Sequence, residues 1–128
     1  MNDLKTAIII LNYKSWKDTL KEAEECVKLL GFDYRDVIVV DNDSPNDSSD
    51  KLKNASKAYN FTFIATDKNL GYAAGNNIGM RFAKKKGYKY GWILNNDIII
   101  NDSEILYKMI AVMKKDSSIA VVNPDIYA

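Results

Sequence analysis

The chain has no histidine, one cysteine and two prolines among its 128 residues, and each shortage removes a class of chemistry. Without histidine, Ser-His-Asp and Cys-His catalysis are closed, as are His-ligated metal sites. Acid–base work falls to carboxylates, Lys or Tyr, and any metal is a hard divalent cation, Mg²⁺ or Mn²⁺, on oxygen ligands. The lone Cys26 allows no internal disulfide and no cysteine-based zinc site. It falls at an apolar helical position, which makes it a packing residue rather than a reactive thiol. Charge of one sign is also lacking: 18 Lys and Arg against 17 Asp and Glu leave +1. A dedicated nucleic-acid binder carries a basic surplus, so no nucleic acid is expected as a partner. No apolar run approaches the ~20 residues of a membrane span. The N-terminus has neither the basic flank nor the apolar core of a signal peptide. The expectation is a cytoplasmic protein with no membrane span.

What is there is a regular alternation of elements. Ala7–Leu11, Val37–Val40, Phe61–Ala65, Tyr90–Leu94 and Ile119–Val122 are short apolar runs that read as buried strands. Between the first two, Trp16, Leu20, Ala23, Val27 and Leu30 recur at helical spacing behind an N-cap at Ser15, with Asp18 at the capping-box position. Leu52, Ala55 and Tyr59 mark a second helix. A third starts near Ala73–Asn76 and runs to Lys86, with Gly87 as its stop. A fourth, capped by Asp102 or Ser103, carries Ile105, Leu106, Met109, Ile110 and Met113. Strands alternating with helices predict an α/β, three-layer fold with a mainly parallel sheet and helices on both faces. The predicted strand order is 3-2-1-4, with the fifth strand beyond.

Polar clusters follow four of these strands: LNYKS at Leu11–Ser15, VVDNDSPNDS at Val39–Ser48, TDKNLGYAAGNNIG at Thr66–Gly79 and ILNND at Ile93–Asp97. In a parallel sheet, ligands bind outside the carboxyl ends of the strands, so these clusters point to one shared site. In a nucleotide site Asp41 can accept from a base imide or from ribose hydroxyls, and Asn42 can donate to base carbonyls. Equally, Asp, Asn, Ser and Pro build turns. Gly71, Gly75 and Gly79 recur every four residues but form no GxGxxG fingerprint. They serve either close packing of helix on sheet or a helix start whose N–H groups face a ligand. Asn69 and Asn77 are placed to orient that loop or touch the ligand, while Lys68 and Arg81 are candidate diphosphate partners. ILNND is the sharpest signal, because two amides and a carboxylate stand between apolar runs and need partners. Asp97 can bind a cation through one oxygen, and a single carboxylate needs the cation to arrive with a phosphorylated substrate.

Taken together, IIILNYKSW, VVDNDSPNDS, NLGYAAGNNIG and WILNND resemble glycosyltransferase family 2, enzymes with the GT-A nucleotide-diphospho-sugar-binding fold, and among them bacterial rhamnosyltransferase-like members. The resemblance covers essentially the whole chain. It implies inverting, hexosyltransferase-type transfer of a sugar from a nucleotide diphosphate donor (UDP, dTDP or GDP type) to a hydroxyl of a glycan or lipid-linked acceptor, in polysaccharide or cell-surface glycan synthesis. It implies Asn12 and Tyr13 in the base pocket, and Asp41 with Asn42 recognising the base. Asn69 and Gly71 come near ribose and diphosphate, with Asn77 on the helix behind. Asn95, Asn96 and Asp97 stand at the family's DxD motif, Asp97 as ligand to Mg or Mn. Asn95 departs from the acidic first position of that motif.

The resemblance also implies that residues 1–128 form the donor portion, with the acceptor-binding half and its catalytic base absent, so that the chain reads as an N-terminal fragment or else as a naturally short relative. No residue here is assigned as that base, Asp125 included. Localisation at the inner membrane surface would follow from the acceptor or from the full-length protein. The competing reading is a non-catalytic nucleotide-binding or interaction module.

Overall fold

The computed structural model describes residues 4–125, which fall into two compact units, one within Met1–Ile98 and one within Ile99–Ala128. The first unit runs β1 (Thr6–Asn12), α1 (Trp16–Leu30), a 3₁₀ turn (Tyr34–Asp36), β2 (Val37–Asp41), α2 (Ser48–Tyr59), β3 (Thr62–Ala65), α3 (Tyr72–Lys85) and β4 (Tyr90–Leu94). All three strand pairings are parallel and the order is β3-β2-β1-β4, as the sequence predicts. Parallel strands need crossovers, and α1, α2 and α3 supply them. One consequence governs the site: every carboxyl end opens on the same side of the sheet. Register sharpens it, since Asn12 lies opposite Asp41, and Ile10 opposite Leu94.

β1 and β2 are central and read as near-continuous apolar runs because both of their faces are covered. Ala7, Ile9, Ile38, Val40 and Ala83 form one core beneath α3, bordered by Leu11, Ile64, Ile78 and Met80. Fully burying each Ile or Val of such a core contributes roughly 1.5–3 kcal/mol. The alternate residues of β1, including Asn12, turn to the opposite face, where α1 packs and Thr19 touches Asn12. Helices therefore cover both faces. Two of the three spaced glycines serve packing: a Cβ on Gly79 would lie 2.6 Å from Ile9 Cγ2, and one on Gly75 2.7 Å from Leu11 Cδ1, whereas Gly71 has open space around it and positive φ.

α1 begins after Ser15 as read from the sequence, but Ser15 makes no side-chain cap bond. Its fully buried face is Thr19, Glu22, Ala23 and Cys26, rotated from the stripe that periodicity suggests. Two polar side chains are thereby placed inside, a point on which the site depends.

The second unit contains α4 (Ile105–Lys115), with Leu106, Met109 and Ile110 as its buried positions. Its N-cap is Glu104; Asp102 accepts from the Glu104 N–H at 2.9 Å and pairs with Lys108 at 2.6 Å. The fifth strand is a correction. Ile119–Val122 forms no strand among the described residues, and Val121 is 78% exposed. A β-branched run becomes a strand only where a neighbour offers a ladder, and periodicity carries no information about that neighbour.

Candidate functional site

The four polar clusters close into one ring of hydrogen bonds. Asn12, at the end of β1, donates from Nδ2 to Asp41 Oδ1 at the end of β2 (2.8 Å). Next to Asp41, Asn42 accepts at Oδ1 from the Leu70 N–H (2.9 Å) and donates from Nδ2 to the Gly71 carbonyl (3.2 Å). Next to Gly71, the Tyr72 hydroxyl donates to Asn95 Oδ1 beyond β4 (2.9 Å). Next to Asn95, Asn96 donates from Nδ2 to Thr19 Oγ1 (3.0 Å), and that hydroxyl donates to Asn12 Oδ1 (2.7 Å). The ring thus returns to β1. Each of its buried bonds contributes about 0.5–1.5 kcal/mol net, and the bond to the Asp41 carboxylate more.

Burial grades around this ring. Asn12 and Thr19 are fully buried, with Asp41 and Asn42 nearly so, whereas Tyr13, Asn69, Tyr72, Asn95 and Asp97 reach the surface. The exposed members can meet a ligand; the buried ones hold them in place. Both carboxylate oxygens of Asp41 have protein partners. Its Oδ1 accepts from Asn12 and from Ser44 Oγ (2.6 Å), and its Oδ2 from the Ser44 N–H (3.1 Å). At 1% exposure this carboxylate forms part of the wall of the site. Asn42 is likewise committed to the loop between β3 and α3.

That loop is built by local chemistry. Asn69 Oδ1 accepts from the Gly71 N–H at 2.9 Å, an Asx turn, and Gly71 takes φ +83°, where a side chain would be strained. On the far side of the rim, Lys14 and Asp43 both adopt positive φ. Ser44 Oγ ties them together by accepting from the Lys14 N–H at 2.9 Å. Left-handed residues other than glycine at two adjacent strand ends concentrate strain where the sheet opens.

Asn77 and Arg81 are not brought to the ring. Both are exposed on α3, in a shallow concavity shared with Met80, Lys84 and Tyr90. Lys68 is exposed on the loop, its carbonyl accepting from Thr66 Oγ1 at 2.8 Å. A second concavity, lined by Trp16, Lys21, Tyr34 and Tyr59, also contains no ring member. The ring is an open rim at the carboxyl edge.

Three participants were not singled out from the sequence, Thr19, Ser44 and Tyr72, and neither was Glu22, buried on the same face of α1 as Thr19. For Thr19 and Glu22 a signal existed, since both are polar residues on the apolar side of a helix. Glu22 is buried, with Oε1 lacking a protein partner among the described residues. Burial, then the charges of Glu25 and Asp97, push its carboxyl up to about 7 against a small opposing pull from Lys21. Burial, then the charges of Glu22 and Glu25, push the Cys26 thiol up to about 12, which fits inert packing.

The oxygen donors suit a hard cation. Asp97 is exposed, and Asn96, having given its amide N–H to Thr19, keeps Oδ1 without a protein partner among the described residues. Among those residues no group of three or more Cys, Asp or Glu side chains is placed to hold a metal ion. A cation carried in by a diphosphate is compatible with that donor set.

An all-parallel sheet with this strand order and its polar residues at the carboxyl edge is shared by several nucleotide-binding α/β folds, the GT-A class of sugar transferases among them. The chain belongs to that class through Glycosyl transferase family 2, which matches residues 7–128. It is similar to the galactofuranosyltransferase GlfT1 of two Mycobacterium tuberculosis strains: 33% identity over 88 residues, covering 69% of this chain and 29% of that one. Its fold is similar to that of mannosyltransferase PcManGT from Pyrobaculum calidifontis, solved with GDP-Man and Mn²⁺. There the TM-score is 0.67 at 15% identity, covering 85% of this chain and 32% of that chain. The chain therefore spans about a third or less of the length of these relatives. The family resemblance and the α/β fold read from the sequence are borne out. Among the described residues no helix is long and apolar enough to cross a membrane.

Proposed function

We propose that the first unit is the donor-binding portion of a metal-dependent, inverting sugar transferase that takes a nucleotide-diphospho-sugar of UDP, dTDP or GDP type. The observation that carries this is the closed ring: four strand ends share one hydrogen-bonded rim, with exposed amides, a tyrosine and a carboxylate around it. The solved mannosyltransferase of the same fold holds GDP-Man and Mn²⁺, which supports the ligand class.

In this reading Tyr13 and the Asn12–Asp41 wall face the base. The Asn69–Tyr72 loop covers ribose and diphosphate, with the first N–H groups of α3 available to an anion. Asp97 and Asn96 Oδ1 would hold Mg²⁺ or Mn²⁺. Such a cation, when bound, neutralises charge developing on the leaving diphosphate. The chain's own part is positioning: residues already fixed by the ring need no reorganisation when that charge appears. The acceptor hydroxyl, of a glycan or lipid-linked sugar in polysaccharide or cell-surface synthesis, attacks the anomeric carbon. Its proton passes to a base that none of the ring residues is assigned to be. An acceptor held in lipid would bring the protein to the inner membrane surface.

The test is calorimetric titration of UDP, dTDP and GDP into wild type and Asp97→Asn, with Mn²⁺ and with chelator. Asp97→Asn should abolish the metal-dependent part of binding while leaving the fold, since an amide keeps most of the hydrogen bonding available to the acid. Equal metal dependence in both proteins would overturn the assignment of Asp97.

A further inference from the structure

The ring contains one residue that touches no ligand in any reading of the site, yet joins its two sides. Thr19 is fully buried on α1, and its hydroxyl is used twice. It donates to Asn12 Oδ1 at 2.7 Å and accepts from Asn96 Nδ2 at 3.0 Å. Both directions are fixed by chemistry. Asn12 must point Nδ2 at the Asp41 carboxylate, which leaves its Oδ1 toward Thr19 as an acceptor. The hydroxyl proton is thereby committed to Asn12, and only a donor can approach from the other side. Asn96 therefore turns its Nδ2 to Thr19 and its Oδ1 away. Flipping either amide would set like groups against each other in a buried place, at the cost of unpaired polar atoms.

We propose that Thr19 is a positioning residue that couples the base side of the site to the Asn95–Asn96–Asp97 turn. This inference rests on the donor-site reading above. Through Thr19, the orientation of Asn12 and the orientation of the Asn96 carbonyl oxygen are one arrangement. Seating a base against the β1–β2 wall then favours the turn conformation that receives the cation, and linkage makes the effect reciprocal. A buried hydrogen-bond network is a physical carrier for such coupling, and its measure is a coupling factor rather than its visibility in a structure. The hydroxyl is what matters: valine keeps the shape of threonine without it, and serine keeps it without the methyl.

The experiment compares wild type, Thr19→Val and Thr19→Ser for binding of UDP, dTDP and GDP by calorimetry. The readout is the ratio of Kd in chelator to Kd in Mn²⁺ for whichever nucleotide binds. Thr19→Val should lower that ratio at least about fivefold, the lower end of ordinary coupling between sites, and Thr19→Ser should restore it. A merely structural Thr19 predicts a lower Tm and affinity reduced equally with and without metal; an unchanged ratio overturns the proposal. If Thr19→Val does not fold, Asn96→Ala cuts the same chain from its outer end. Coupling predicts that Asn96→Ala weakens binding even in chelator, and chelator binding equal to wild type refutes it. Absence of nucleotide binding by the wild type removes the donor-site reading and this inference together, whereas wild-type binding with an unchanged Thr19→Val ratio removes only the inference.

Discussion

The hydroxyl of Tyr72, in the first turn of α3, donates to Asn95 Oδ1 at 2.9 Å, joining the loop after β3 to the turn after β4. Tyr72 is 60% exposed, so this bond competes with water and adds little to stability. Its value lies in holding the Asn95 side of the rim. Tyr72→Phe should change unfolding free energy by less than about 0.5 kcal/mol while weakening metal-dependent nucleotide-diphosphate binding severalfold. Urea melts and calorimetry on the same preparation check both. A large stability loss with unchanged binding would make Tyr72 a structural residue only.

Asp41 behaves differently because it is buried. Asp41→Ala strips acceptors from Asn12 Nδ2, Ser44 Oγ and the Ser44 N–H. Leaving such donors unpaired should cost about 2–4 kcal/mol, read as a lower midpoint in urea with unchanged slope. A variant as stable as wild type would mean that this carboxylate does not shape the wall.

Gly79→Ala should destabilise although alanine is the better helix former. The added Cβ would lie 2.6 Å from Ile9 Cγ2, a methyl on a fully buried, β-branched side chain with little freedom to move. Overpacking of about 1–3 kcal/mol should exceed a propensity gain of about 1 kcal/mol. A thermal melt decides, and a raised Tm contradicts the close approach of α3 to β1.

Glu22 sets a pH dependence. Its carboxyl titrates near 4.5 in the unfolded chain and near 7 when folded. Between those values the folded chain binds the extra proton, so stability falls as pH rises from about 4.5 to about 7 and is level beyond. The loss is at most about 3 kcal/mol. Glu25, Asp97 and Lys21 face the same carboxyl, and the two acids outweigh the lysine. Glu22→Gln should flatten this part of the profile and raise Tm at pH 8 relative to wild type. Melts at pH 5 and pH 8 for both proteins provide the comparison; parallel profiles would assign the dependence elsewhere.

Much of this arrangement was legible in the chain itself. β-branched runs broken by Asn, Asp and Gly located the four strands of the sheet, and their alternation with helices implied the parallel order. Asn95 and Asn96 stood out because polar groups between buried runs need partners, Asn42 because an amide can donate to base carbonyls, and Asn12 through the family resemblance. What those partners are was not legible. For Asp41, the local bonds to Ser44 belong to the turn that Asp, Asn, Ser and Pro announce, whereas the bond to Asn12 exists only once β1 and β2 are paired. Thr19 and Glu22 were hidden by a helix stripe scored for apolar residues alone. Ile119–Val122 was overread, since local propensity resembles that of β2 while the ladder that distinguishes them is a tertiary fact.

The strand order also sets a schedule for synthesis. β1 gains its first neighbour when β2 emerges, but its other edge pairs with β4, whose last residue lies 53 positions after Asp41. At about 5–20 residues per second, the TAIIILN edge waits roughly 3–10 s with its N–H and C=O groups unpaired. An apolar edge open for that long is a template for pairing with another nascent chain. The residue that closes the ring, Asn96, follows β4 by only two positions. Completion of the rim and removal of the most aggregation-prone edge are thus nearly the same event on the ribosome.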